Sequence, residues 1–137
     1  MELTFHVEGG DFTSAGAASS HVKKMLKQIN VDPAIIKRVV VALYEAEVNI
    51  AAHAHRGDIK VTISPQQVFI RLEDEGPGIA DIAQAMQKGF STASPQVREM
   101  GFGAGMGLPN IKENSDNFVI RSEVNKGTVL EITINTT

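Results

Sequence analysis

Apolar and polar residues alternate in five short runs along the chain, and each run predicts a strand with one buried face. Leu3, Phe5 and Val7 interleave with Thr4, His6 and Glu8 before Gly9-Gly10 ends the first run. Ile59, Val61 and Ile63 form the second, which turns through Ser64-Pro65-Gln66-Gln67 into the third over Val68, Ile70 and Leu72, a hairpin by pattern. Phe118 to Glu123 and Thr128 to Thr136 close the chain as two strands joined around Asn125-Lys126-Gly127. Between the runs the period changes to that of a helix. Asp11 or Thr13 can cap a helix through about Asn30, with Ala15, Ala18, Val22, Met25, Leu26 and Ile29 on one stripe. Asp32-Pro33 starts the next, a side-chain cap followed by proline at the first helical position. That helix runs through Ile36, Val39, Val40, Leu43, Ala46, Ile50 and Ala54 to a stop at Gly57. It is apolar nearly all round, so it should lie buried between layers. Ile79, Ile82, Ala83 and Met86 predict a short helix to about Lys88.

The informative positions are those where polar residues break these patterns. Val68, Ile70 and Leu72 share a parity that also sends Asp74 toward the core. Even an unpaired polar group there costs about 2–7 kcal/mol, so an inward carboxylate needs donors. Gly76 and Gly78 follow it, which permits a tight turn and leaves room for a ligand. The alternative is a solvated Asp-Glu-Gly-Pro-Gly turn. Thr128 shares parity with Leu130, Ile132 and Ile134, which brings its hydroxyl to the core side as well. Inward Asp74 and Thr128 can meet one ligand, or Thr128 can simply be satisfied by neighbouring backbone. On the long apolar helix, Glu45, Asn49 and His53 follow one another at four-residue spacing and share a face. They form either a satisfied polar seam against the sheet or a carboxylate that polarises a nucleophile beside an amide oxygen that ligates a hard cation. Glu47 lies about 200° round the helix from Glu45 and cannot join that row.

From Gly89 to Gly107 no period is sustained, and a loop of that length is commonly a lid or disordered. It ends in Gly101, Gly103, Gly105 and Gly107, directly before Leu108-Pro109-Asn110, where proline suits a first helical turn. Glycines leading into a helix N-terminus make an anion site, the alternative being a flexible hinge. A dinucleotide fingerprint is not expected, because these glycines follow a loop and not a strand, and no Gly-Lys-Ser/Thr is present.

Composition narrows the classes further. With 137 residues, 42% hydrophobic and 21% charged, the chain fits one globular domain over residues 1–137. A net charge of -3 with interleaved signs gives no basic stripe for nucleic acid. The absence of cysteine removes thiol chemistry and thiolate metal sites. No apolar stretch is long enough to span a membrane, and the alternating N-terminus is not a signal peptide, so a cytoplasmic protein is expected.

Glu45-x-x-x-Asn49, Asp74-x-Gly76-x-Gly78, and Gly103-x-Gly105-x-Gly107 with Gly127-Thr128 behind them occur in this order. Together they resemble the GHKL ATPase superfamily, the ATP-binding fold of gyrase, MutL and sensor histidine kinases. Within it the chain is most similar to small bacterial anti-sigma factors and serine/threonine switch kinases of the RsbT and RsbW kind. The resemblance implies an α+β two-layer sandwich, a mixed, mostly antiparallel sheet with helices on one face. It implies ATP and Mg²⁺ as cofactors: Asp74 accepts from the adenine amino group with Thr128, Gly76 and Gly78 in support, and Asn49 ligates the metal. It also implies that Glu45 is the general base toward a protein hydroxyl or a water. Gly103, Gly105 and Gly107, leading into Leu108, would present amides to the phosphates while residues 89–107 close as a lid. The implied activity is transfer of the γ-phosphate to a small partner, a STAS-domain antagonist. The alternative is a nucleotide-gated module that controls a sigma factor or an enzyme without useful transfer; a homodimer is compatible with either. Two departures stand out. Glu47 occupies a position where such families often carry an apolar or small residue, and residues 89–107 lack a clear phosphate-contacting arginine, for which Arg98 or Lys88 are the candidates. No phosphoacceptor-histidine helix precedes the domain, so a complete sensor histidine kinase is not expected.

Overall fold

The five alternating runs become one sheet, in the order β1-β2-β3-β5-β4. The strands are β1 (Glu2–Glu8), β2 (Arg56–Ile63), β3 (Gln67–Glu75), β4 (Asn117–Glu123) and β5 (Gly127–Asn135). This computed structural model describes residues 1–87 and 107–137. All four ladders are antiparallel, so among the described residues the expected mixed sheet has no parallel pair. Register turns the alternation into rows of core side chains. Ile59, Leu72, Leu130 and Ile120 face one another across four strands, and Val61, Ile70, Ile132 and Phe118 form the next row. The β2, β3 and β5 members are fully buried. Burying each such Ile or Leu contributes about 1.5–3 kcal/mol.

The row on the other side of Ile59 and Leu72 is different in kind. Gly57 stands opposite Asp74, and Thr128 opposite Ser122. At this end of the sheet the apolar rows give way to a polar one, which is where a site can open.

Helices α1 (Ala17–Gln28), α2 (Pro33–His53), α3 (Ile82–Ala85) and α4 (Gly107–Glu113) accompany the sheet. The α2 helix begins as its sequence dictates: Asp32 Oδ1 accepts from Ala34 N at 2.8 Å, with Pro33 in the first turn. It packs against α1 and α4 and touches β1, β2, β3 and β5, which accounts for its apolar circumference. The opposite face of the sheet carries exposed ion pairs, among them Lys60–Glu2, Arg71–Glu73 and Arg121–Glu131. Such pairs are screened by solvent and contribute little to stability.

Three boundaries depart from the sequence expectation. The first helix starts at Ala17, because Gly16 at φ 100 turns the chain out of helical geometry; Asp11 Oδ1 instead closes a local turn on Ser14 N at 3.2 Å. Ile29 therefore falls beyond the last turn and is 48% exposed, while Val22 and Leu26 are buried. The α2 helix stops at His53, not at Gly57. Ala54 is extended and His55 N donates to Glu75 O at 2.7 Å, so the chain enters the sheet at once and Gly57 becomes a residue of β2.

Candidate functional site

The polar end of the sheet is assembled from β3, β5 and β4. Asp74 Oδ1 accepts from Thr128 N at 3.0 Å, so the end of β3 is tied to β5 by a side chain. Burial pushes the Asp74 carboxyl above its ordinary value, and the Thr128 amide partly offsets this. Thr128 is buried, and its hydroxyl lies 2.9 Å from Ser122 Oγ. Ser122 Oγ also accepts from Ile79 N at 2.7 Å and donates to Gly127 O at 3.0 Å. The Gly76–Gly78 turn is therefore anchored on the β4–β5 hairpin. Gly76 N donates to Lys126 O at 3.0 Å and Asn125 N to Pro77 O at 2.8 Å. The closeness of this docking explains two glycines. Gly78 has φ +73, and a Cβ there would stand 2.2 Å from Glu123 O; at Gly127 a Cβ would stand 1.9 Å from Asp74 O.

A second cluster forms where α2 meets α4. Glu45 is half-buried, and a Cβ on Gly107 would lie 3.3 Å from its Oε2. Burial raises the Glu45 carboxyl above its ordinary value, and a hydrogen bond from the Asn110 side chain acts against this. Leu108 is buried in the core beside them, which fixes the first turn of α4. Asn49 and His53, both half-buried, continue the Glu45 face of α2, and burial lowers the His53 pKa and favours the neutral ring.

The end of α2 joins the two clusters: a Cβ on Gly76 would stand 3.0 Å from Ala54 Cα. Eight residues at 1.5 Å rise set Glu45 about 12 Å along the axis from His53, which adjoins the Asp74 end. One helix thus spans from the Glu45 carboxyl near Gly107 to the Asp74 end of the sheet. Of the residues singled out from sequence, Gly103 and Gly105 lie outside the described residues, as do Lys88, Arg98 and nearly all of the 89–107 segment. Asp74, Gly76, Gly78 and Thr128 come together at the sheet end, and Glu45, Gly107 and Leu108 meet at α4. A groove of about 620 Å³ passes the same strand ends, lined by Asp74 and Thr128 but also by Asp58, Glu73, Arg121 and Val129, which alternate to the helix-free face. The inward parity of Asp74 makes the helix side the better candidate for a buried ligand.

Three residues escaped the sequence. Glu47 is 1% exposed, and its carboxylate accepts from Ala18 N at 2.8 Å and Ser19 N at 3.2 Å. It caps α1 from the opposite face of α2, the face to which the 200° offset from Glu45 directs it. Ser122 shares the parity of Phe118 and Ile120, which directs it inward like Thr128 opposite. Asn110 carried no signal beyond following Leu108-Pro109.

The description of the histidine kinase-like ATPase domain matches residues 11–134, and the chain belongs to that family, one of ATP-binding domains. Among curated relatives, the serine/threonine-protein kinase RsbT of Bacillus subtilis (strain 168) is 33% identical over 125 residues, covering 88% of this chain and 86% of its own. The anti-sigma F factor of Thermoanaerobacter sp. (strain X514) is 34% identical over 109 residues, 74% of this chain and 73% of its own. That of Geobacillus sp. (strain WCH70) is 36% identical over 92 residues, 63% and 60% respectively. The mycobacterial sensor histidine kinase MprB has the same fold, with a TM-score of 0.55 at 15% identity over 98% of this chain and 97% of its own.

Proposed function

We propose that the chain is an ATP-dependent protein serine/threonine kinase that modifies a small regulatory partner, a STAS-type antagonist, in a partner-switching system. The observation that carries this is Glu45: a half-buried carboxyl with a raised pKa, facing Gly107 at the start of α4 and mounted on the helix that ends at the base-accepting row. A raised pKa brings a carboxylate closer to the operating pH of a general base. The likeness to RsbT over 88% of the chain supports transfer to a protein hydroxyl.

The residues present fit a nucleotide. Asp74 accepts from Thr128 N through Oδ1 and is open enough to accept an amino group through its other oxygen, which suits adenine. Bound MgATP would supply the transferable phosphoryl group and the charge neutralisation that it needs. Asn49 would hold the cation through its amide oxygen, the kind of hard donor that Mg²⁺ takes. Gly107 would offer its backbone amide to the phosphates. Glu45 takes the hydroxyl proton of the partner's serine or threonine at its carboxylate as the oxygen attacks. Asn110 orients that carboxylate. Such a protein would work in the cytoplasm, where MgATP is available.

The alternative, a nucleotide-gated module that holds a sigma factor without useful transfer, is favoured by the likeness to anti-sigma F factors. Incubation of the chain with γ-labelled MgATP and an extract of its source organism separates the two. A discrete labelled protein that disappears with Glu45→Ala is expected; ATP binding with no labelled protein would replace the kinase by the gated module.

A further inference from the structure

We propose that Ser122 sets the hydrogen-bonding polarity of the base pocket, so that the site takes a 6-aminopurine and turns away a 6-ketopurine. The inference rests on the nucleotide reading of the Asp74 end and adds a residue that does not itself touch the base. Three polar atoms lie around Ser122 Oγ: Ile79 N at 2.7 Å, Thr128 Oγ1 at 2.9 Å and Gly127 O at 3.0 Å. A hydroxyl has one proton and two lone pairs. Ile79 N–H can only donate and Gly127 O can only accept. The one assignment in which all three distances are hydrogen bonds has Ser122 donating to Gly127 O and accepting from both Ile79 N and Thr128 Oγ1.

The Thr128 proton is then committed to Ser122, and only lone pairs of Thr128 remain for a ligand. Asp74 beside it, held by Thr128 N, is an acceptor when ionised. Asp74 and Thr128 then both present acceptors. They match the amino group of adenine, whereas a keto oxygen at the same place meets lone pairs without a proton between. Ser122 can hold this polarity because it is itself fixed, standing directly opposite Thr128 in the β4–β5 ladder and bonded to the Gly78–Ile79 backbone. Without the serine hydroxyl, the Thr128 proton is free to rotate into the pocket and donate to a keto group. Ser122 is thus a positioning residue that acts through Thr128.

The test is calorimetric binding of ADP and of inosine diphosphate, which differ at the 6-position and in the proton that the keto form carries on N1, and which have no γ-phosphate to transfer. The native chain is expected to prefer ADP. Ser122→Ala should shrink the ADP-to-inosine-diphosphate affinity ratio by about tenfold, the weight of one hydrogen bond. Ser122→Thr, which keeps the hydroxyl, should restore it. In a Thr128→Val background, Ser122→Ala should leave the ratio unchanged, because the group through which it acts is gone. A ratio unaltered by Ser122→Ala in the native background, with ADP still bound, overturns the inference and leaves the nucleotide site standing. An equal drop in the Thr128→Val background also overturns it, by showing that the serine acts through the loop. Failure of the native chain to bind either nucleotide overturns the nucleotide reading and this inference with it.

Discussion

Asp74 and Glu45 are carboxyls whose ionised form the fold disfavours. Burial raises both pKa values from ordinary values of 3.8 and 4.5, so the folded chain binds these protons more tightly than the unfolded one. Stability therefore falls as pH rises from the unfolded value through the folded one, and the full deficit is present above that window. Replacing Asp74 by Asn removes the charge and keeps an oxygen for the Thr128 amide. In urea melts of the nucleotide-free chain, Asp74→Asn should gain up to about 1 kcal/mol at pH 7, small because the group is only half-buried, and the gain should vanish as the pH falls below the ordinary value of 3.8. The same substitution should weaken ATP and ADP alike, by about tenfold or more, since both carry adenine. Unchanged ADP affinity would move the base away from Asp74. A loss of stability at pH 7 would mean that donors besides Thr128 N compensate the carboxylate.

At the scale of elements, α1 and α2 show how far local signals reach. The start of α2 was legible because its cap and its proline are adjacent in the chain, Asp32 and Pro33. The start of α1 was not, because its capping carboxylate, Glu47, comes from 29 residues further along. Asp11 and Thr13 have the right chemistry for a cap and the wrong geometry, and only Gly16 at φ 100 reveals it. Gly57 was misplaced for a related reason: glycine is equally a helix stop and a strand residue where packing is close. The parity of β3 and β5 revealed Asp74 and Thr128, because a period of two fixes a side chain's face from sequence alone. Asn110 stayed hidden, since its partner Glu45 lies on another element. The cap yields a prediction. Glu47→Ala leaves two buried N–H groups without an acceptor and should cost about 3–4 kcal/mol in urea unfolding; Glu47→Gln, which keeps one acceptor, should cost about half of that. Equal losses in the two variants would indicate that packing volume and not the cap is what α1 requires.

The whole molecule is arranged around one helix that borders both polar clusters. The α2 helix touches α1, α4 and four strands, and carries Glu45 toward α4 while its end abuts the Gly76 turn. A ligand engaging both clusters adds its binding free energy to the stability of the entire fold, about 2.7 kcal/mol at a hundred times its dissociation constant. This separates roles that a single affinity would blur. Thermal unfolding followed at saturating ADP and at saturating ATP, each across a magnesium titration, should show magnesium-dependent stabilisation in the native chain. Asn49→Ala should keep the stabilisation given by metal-free ADP and lose most of the increment from magnesium. Glu45→Gln should keep both and lose only transfer, if its carboxylate acts as proposed on the partner's proton and not on the nucleotide. If Asn49→Ala retains the full magnesium increment, the metal is held elsewhere, and the shared face of Glu45, Asn49 and His53 is a polar seam of the core. If Glu45→Gln loses nucleotide stabilisation as well, the carboxyl supports the start of α4, and the kinase proposal loses its base while the nucleotide site remains.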